Sequence, residues 1–202
     1  MATQYRYPGA RPFEMDQKPL FFGRENDIED LYRLIGLEPL VVVYSKSGLG
    51  KSSLLNAGIM PKAIEKGRYD TLRVRFNAWQ KDRKDMPLQI TQDSITALCS
   101  SSAFLAQLRP DDNSLWRKIK DHQWYTQGSK GLMLVFDQFE ELFTFPKEAI
   151  ANLRRELAEA LYSTMPEPYV DTLELQLADG LLEANAEALN LLQTPQIGRA
   201  HV

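Results

Sequence analysis

A continuous apolar run, Leu40-Val41-Val42-Val43-Tyr44, leads straight into Ser45-Lys46-Ser47-Gly48-Leu49-Gly50-Lys51-Ser52 and then into the helix-forming stretch Ser53-Leu54-Leu55. Few local patterns restrict a fold as strongly. An unbroken β-rich run is the kind of strand that a parallel sheet buries on both faces. A turn of small residues from such a strand into a helix aims backbone N–H groups, and the positive end of the helix dipole, at one point. The pattern G-x-x-x-x-G-K-[ST] describes this turn, and here Ser45 stands where its first glycine would be. The loop therefore reads as a phosphate cradle, with Ser47, Gly48, Leu49, Gly50, Lys51, Ser52 and Ser53 as nucleotide-binding residues. Lys51 is expected to reach the outer phosphates and the Ser52 hydroxyl to ligate magnesium. A surface turn can match so short a pattern by chance; the strand before it and the helix after it argue against that.

The rest of the chain suits an α/β domain. Its 202 residues are enough for one proper core, and the 44% hydrophobic and 25% charged fractions are those of a globular protein. A net charge of −3 argues against a direct nucleic-acid footprint, which needs Lys and Arg concentrated on one face. One cysteine, Cys99, excludes an internal disulfide, and two histidines make a poor basis for a zinc site. No apolar run approaches the roughly 20 residues of a membrane span, and the first residues lack a signal-peptide layout, so the expected location is the cytoplasm.

Residues 1–25 form a Pro- and aromatic-rich arm in which closely spaced prolines disfavour a helix. Asn26 or Asp27 can cap a helix whose apolar positions Ile28, Leu31, Leu34 and Ile35 share one face. A helix is expected from Ser52 to about Met60, with Pro61 kinking or ending it before a second turn that Gly67 closes. Leu72-Arg73-Val74-Arg75-Phe76 alternates as a strand with one face covered, and Leu132-Met133-Leu134-Val135-Phe136 is a third, wholly apolar strand. Pro87 to Leu108 reads as mainly helical, Leu115 to Trp124 as a shorter helix, and two further helices run from Lys147 to Ser163 and from about Val170 to Gln193.

Asp137 closes the third strand and opens Asp137-Gln138-Phe139-Glu140-Glu141-Leu142-Phe143. A carboxylate at a strand end beside a phosphate loop can hold magnesium, and an acid a few residues on can deprotonate the attacking water. The metal is assigned to Asp137 together with Ser52, and the catalytic base to Glu140 or Glu141, between which spacing does not choose.

With these residues in place the chain resembles the STAND class of P-loop ATPases, specifically the novel STAND group of bacteria. The resemblance rests on Tyr7-Pro8-Gly9-Ala10-Arg11-Pro12-Phe13, Phe21-Phe22-Gly23-Arg24-Glu25, the loop through Leu55, and Asp137 to Phe143. It implies a P-loop parallel sheet flanked by helices over residues 26–196, with ATP and Mg2+ as cofactors. It places Gly23, Arg24 and Glu25 near the adenine. It further implies a switch in signalling or defence, in which ATP exchange and slow hydrolysis turn a resting form into a homo-oligomer, with sensor and effector modules carried elsewhere. A sensor arginine on a later strand, a winged helix, repeats and an effector are not found in the sequence, which suggests C-terminal truncation and an incomplete sheet with open apolar edges. Residues 197–202, Ile197-Gly198-Arg199-Ala200-His201-Val202, match a translated sequencing adapter and read as a non-native tail. Two other readings stay open: a nucleotide-binding scaffold without catalysis, and another P-loop enzyme such as a small-molecule kinase.

Overall fold

The computed structural model describes residues 11–82, 84–162, 165–180 and 186–193. Tyr7 to Ala10 and the proposed tail at 197–202 lie outside the described residues. The chain divides into two units, one through Thr71 and one from Leu72 onward.

The first unit is built on a helix with three parts: α2 (Lys51–Ser53), a π-helical segment (Leu54–Ile59) and α3 (Met60–Lys66). Pro61 does not end it. A proline inside an α-helix removes one N–H and crowds the carbonyl four residues back. Here the turn before the proline is widened, with the Met60 N–H donating to Leu55 O, and the helix passes through to Gly67, left-handed at φ 68°. The arm packs on this helix. Its residues Met15–Leu20 form a 3-10 turn rather than an extended strand, because Glu14 and Gln17 cap each other and 3-10 spacing accommodates Pro19. Phe13 and Phe21 pack with ring centroids 5.6 Å apart. The Phe13 N–H donates to Ser53 Oγ at 3.0 Å, and Lys18 Nζ pairs with Glu65 at 2.8 Å.

Helix α1 (Glu25–Leu37) lies against the π segment. Its first residue follows Arg24, so neither Asn26 nor Asp27 is the cap; the Ile28 N–H donates to Arg24 O at 3.0 Å. Gly58 permits the close approach of the two helices. A Cβ added there would stand 2.8 Å from Ile28 Cγ1 and 2.9 Å from Ile28 Cδ1.

The run Leu40 to Tyr44 departs from expectation, since it is not a buried strand. It carries no strand pairing among the described residues, and Val42 is 74% and Tyr44 89% exposed while Val41 and Val43 are half-buried. Five β-prone residues do not make a strand without a neighbouring backbone to take their N–H and C=O groups.

β1 (Tyr69–Arg75), which enters the second unit at Leu72, and β2 (Gly131–Asp137) form a parallel two-stranded sheet flanked by helices, an α/β arrangement that is incomplete for a P-loop sheet. The span from Pro87 to Leu108 splits into α4 (Pro87–Thr96) and α5 (Ala103–Leu108). The Cys99-Ser100-Ser101-Ser102 stretch breaks it, and Ser102 caps α5 by accepting the Leu105 N–H at 3.3 Å. Helix α6 (Leu115–Tyr125) packs on α4, on β2 and on α7 (Lys147–Tyr162). One core gathers Val74, Phe76, Ile95, Leu115, Leu142 and Leu153, with Trp79 packed against it. A second forms around Trp116 and Tyr169 and draws on α8 (Glu167–Ala178) and α9 (Ala186–Gln193). The single helix expected from Val170 is two, because Gly180 takes φ 67° and stops the first.

The pair Arg117 and Asp121, one turn apart on α6 and both buried, holds the two ends of α5. Asp121 Oδ1 accepts the Ser102 N–H at 2.8 Å and both carboxylate oxygens lie 3.1 Å from Arg117 Nε. Arg117 Nη1 donates to Leu105 O at 2.9 Å and to Arg109 O at 3.0 Å. An anion at the start of a helix and a cation at its end both match the dipole.

Candidate nucleotide site

The loop is shaped by two glycines rather than three. Gly48 and Gly50 are left-handed at φ 82° and 79°, whereas Ser45 is not among the positive-φ residues. The position that usually carries the first glycine therefore makes no conformational demand here, and serine fills it without strain. Gly50 precedes α2, and its carbonyl accepts the Leu54 N–H at 2.8 Å, the first bond of the helix. The start of a helix directs N–H groups and partial positive charge outward, which suits an anion.

Lys51 folds back over this loop. Its ammonium donates to Ser45 O at 2.8 Å and to Lys46 O at 3.4 Å, so the charge is held at the loop by oxygen acceptors. Ser52 is half-buried in the first turn. Ser53 is buried, and its hydroxyl is engaged by the Phe13 N–H, which ties the arm to the loop helix. Ser47 and Leu49 are exposed on the loop itself.

The Gly-Arg-Glu segment stands next to this loop. Gly23 is left-handed at φ 82°, and its N–H donates to Glu25 Oε1 at 2.9 Å. That bond, followed by one from its own N–H, holds the Glu25 carboxyl below the usual carboxylate range. Arg24 Nε pairs with Asp27, and Arg24 Nη1 lies 3.8 Å from the position a Cβ would take on Gly50. Sequence reasoning read Asn26 or Asp27 as a helix cap and missed Asp27 as the partner of Arg24; its position one turn along from Arg24 was the available signal.

In the second unit the acidic tip is equally well defined. Asp137 is 5% exposed at the end of β2, and its Oδ1 accepts the Gln138 N–H at 3.1 Å. Gln138 is left-handed at φ 56°, an unusual conformation for a residue with a side chain, and it turns the chain from β2 into a 3-10 helix (Phe139–Thr144). Arg75, the last residue of β1, donates from Nε to Gln138 Oε1 at 2.6 Å. The carboxyl ends of both parallel strands thus meet, which is where open α/β sheets bind ligands. Glu140 is exposed and Glu141 half-buried on the first turn of the 3-10 helix. Its far end is braced by Thr144 Oγ1, which accepts the Trp79 N–H at 2.7 Å and donates to Glu141 O at 2.7 Å. Arg75 was read only as a basic position of an alternating strand, and its contact with the tip depends on a register that spacing alone does not give.

The family described as novel STAND NTPase 1 matches residues 7–188, a span that contains the Gly-Arg-Glu segment, the loop and the acidic tip. The chain belongs to this family. It is a STAND-class NTPase, for which nucleotide binding is the family property and magnesium the usual companion. No curated relative and no solved structure matches it. The donor set fits such a ligand, because a left-handed loop, a helix start and a lysine already holding oxygen atoms are the parts a polyphosphate requires. Among the described residues no His, Cys, Asp and Glu cluster of three or more could hold a metal ion by itself. Magnesium bound through one or two protein ligands plus phosphate oxygens needs no such cage. Among the described residues no helix is long and apolar enough to cross a membrane.

Proposed function

We propose that this STAND NTPase is a cytoplasmic molecular switch that binds Mg-ATP, hydrolyses it slowly and assembles into a homo-oligomer in signalling or defence. The observation that carries the reading is the loop: two left-handed glycines delivering Lys51, held by carbonyl oxygens, to the start of a helix. In this reading Ser47 to Ser53 surround the phosphates with backbone N–H groups, Lys51 exchanges the Ser45 and Lys46 carbonyls for phosphate oxygens, and Gly23, Arg24 and Glu25 border the nucleotide. The residues that would hold the magnesium are those proposed from the sequence, Ser52 and Asp137, and the bound ion would neutralise developing charge on phosphate oxygens. Glu140 or Glu141 takes a proton from the attacking water at a carboxylate oxygen as the bond from the γ-phosphorus to the ADP oxygen breaks.

Nucleotide affinity and turnover, measured on the same protein, test this. Lys51→Ala abolishes ATP binding, while Glu140→Gln or Glu141→Gln spares binding and slows turnover by roughly 10²–10⁴-fold, the usual contribution of a general base. Unchanged affinity in the lysine variant defeats the assignment. Tight ATP binding with no turnover in the unmodified chain would leave only the scaffold reading.

A further inference from the structure

The turn that ends β2 is held in a conformation its sequence does not favour. Among the described residues, two that are not glycine take positive φ, Gln127 and Gln138. Gln127 has an ordinary reason: it stops α6, donating its N–H to Trp124 O at 3.1 Å, with Gly128 left-handed behind it. Gln138 stops no helix. It stands between Asp137 and Phe139, where its N–H donates to Asp137 Oδ1 at 3.1 Å, its carbonyl accepts the Glu141 N–H at 3.0 Å, and its Oε1 accepts Arg75 Nε at 2.6 Å. The first two bonds lie within the tip and join the Asp137 carboxylate to the turn that bears Glu140 and Glu141. The third comes from β1. A residue in a sparsely populated backbone region stays there when its surroundings over-determine it, and Arg75 supplies the constraint from outside the tip. Arg75 is exposed and donates to a neutral amide, so its bond adds little to stability and neutralises no acid; what it adds is direction, because the Nε–H lies in the guanidinium plane. The neighbouring residues complete the grip. Phe76 packs on Phe136 and Phe139, with ring centroids 5.7 and 6.2 Å apart, and the Trp79 N–H donates to Thr144 Oγ1 at 2.7 Å. The segment leaving β1 thus holds the 3-10 helix at both ends.

We infer that Arg75 is a positioning residue for the hydrolytic step: by holding Gln138 in its left-handed turn it fixes where Asp137, Glu140 and Glu141 stand, without itself touching the nucleotide. The inference rests on the nucleotide reading above. Placement of this kind matters to rate more than to affinity, since a shift of about 1 Å in a reacting group costs on the order of a hundredfold in turnover.

The test separates rate from affinity. The full chain is assayed for ATP affinity, by displacement of a fluorescent ATP analogue, and for phosphate release, as the unmodified protein and as Arg75→Met, Arg75→Lys, Gln138→Gly and the double variant Arg75→Met with Gln138→Gly. Arg75→Met keeps most of the side-chain length without the donor, and is expected to lower kcat by about ten- to a hundredfold while ATP affinity stays within about twofold. Arg75→Lys recovers part of the loss. Gln138→Gly takes the left-handed turn without strain but has no acceptor, so it loses rate in the same way, and adding Arg75→Met to it costs less than about twofold more. A second readout needs no nucleotide: in the ligand-free chain, hydrogen exchange at the Gln138 and Glu141 amides is expected to quicken by about tenfold or more in Arg75→Met, while the α6 amides keep their rates. The inference is overturned if Arg75→Met leaves kcat within about threefold, if affinity falls as far as kcat, if the losses multiply in the double variant, or if exchange at the two tip amides is unchanged. Exchange that quickens in α6 as well shows a general loosening of the unit, makes Arg75 a structural residue and overturns the inference too. Unchanged ATP affinity in Lys51→Ala, or no phosphate release from the unmodified chain, defeats the nucleotide reading and this inference with it; normal turnover with silent arginine variants defeats this inference alone.

Discussion

Replacing Asp121 by alanine tests how the second unit is held together. The carboxylate accepts the Ser102 N–H at 2.8 Å and faces Arg117 Nε at 3.1 Å, and both side chains are buried. Its removal leaves a guanidinium enclosed with no counter-charge and the start of α5 without an acceptor. Breaking one member of a buried pair costs about 3–5 kcal/mol, and the orphaned N–H is part of that figure rather than an addition to it. For a chain of this size the loss lowers the melting temperature by roughly 6–20 °C. Asp121→Asn keeps a neutral acceptor for Ser102 and is expected to fall between the two. The double replacement Arg117→Met with Asp121→Leu removes both charges, so its cost is close to that of one single variant and far below their sum. Urea melts followed by circular dichroism on these variants and on Arg117→Met and Asp121→Leu alone give the free energies, and hydrogen exchange at the α5 amides reports whether that helix loosens first. A cost below about 1 kcal/mol for Asp121→Ala, or strict additivity in the double variant, refutes the clamp.

Two more outcomes follow from the packing. Burial pushes the Lys120 ammonium down to about 8, so a group that holds its proton to higher pH when unfolded penalises the native state fully below pH 8 and progressively less as pH rises toward the ordinary lysine value. Lys120→Met is therefore expected to raise stability at pH 7 by roughly 1–3 kcal/mol and to flatten the rise in stability between pH 8 and 10 relative to the unmodified chain; an unchanged pH profile in denaturant melts contradicts this. Gly58→Ala gains about 1 kcal/mol of helix propensity but sets a methyl 2.8 Å from Ile28 Cγ1, an overlap worth about 1–3 kcal/mol, so a net loss is expected that Ile28→Ala partly restores. A Gly58→Ala protein more stable than its parent, measured by thermal melting, would show that α1 shifts freely.

The elements that spacing located well are those whose partners lie close in sequence or whose pattern is long. The helix from Leu115 and the strand from Leu132 are both found where their periodicity places them, as α6 and β2. The turn proposed as a phosphate loop was legible as local geometry, because glycines at fixed offsets before a helix start take left-handed angles, as Gly48 and Gly50 do. Leu40 to Tyr44 misled for the opposite reason: composition reports β preference, but a strand is made by its neighbours. The serine-rich break before α5 and the glycine stop after α8 were ordinary local signals that a long apolar pattern overrode. The approach of Arg24 to Gly50 and the hydrogen bond of Arg75 to Gln138 depend on tertiary placement, which no offset along the chain encodes.

The position of the Lys51 ammonium bears on how a ligand enters. Two main-chain oxygens already accept from it, so in the proposed reading an arriving phosphate trades places with them instead of neutralising a bare ion. Each capture must therefore release Ser45 and Lys46, and the gain is the difference between two sets of acceptors, smaller than either. A cradle of this kind, on the proposed reading, favours a ligand that brings several oxygens at once over an anion such as chloride, whose single weak contact cannot match the pair it displaces. If the proposed function holds, selectivity for chains of phosphate over isolated anions follows from a clasp the protein closes on itself.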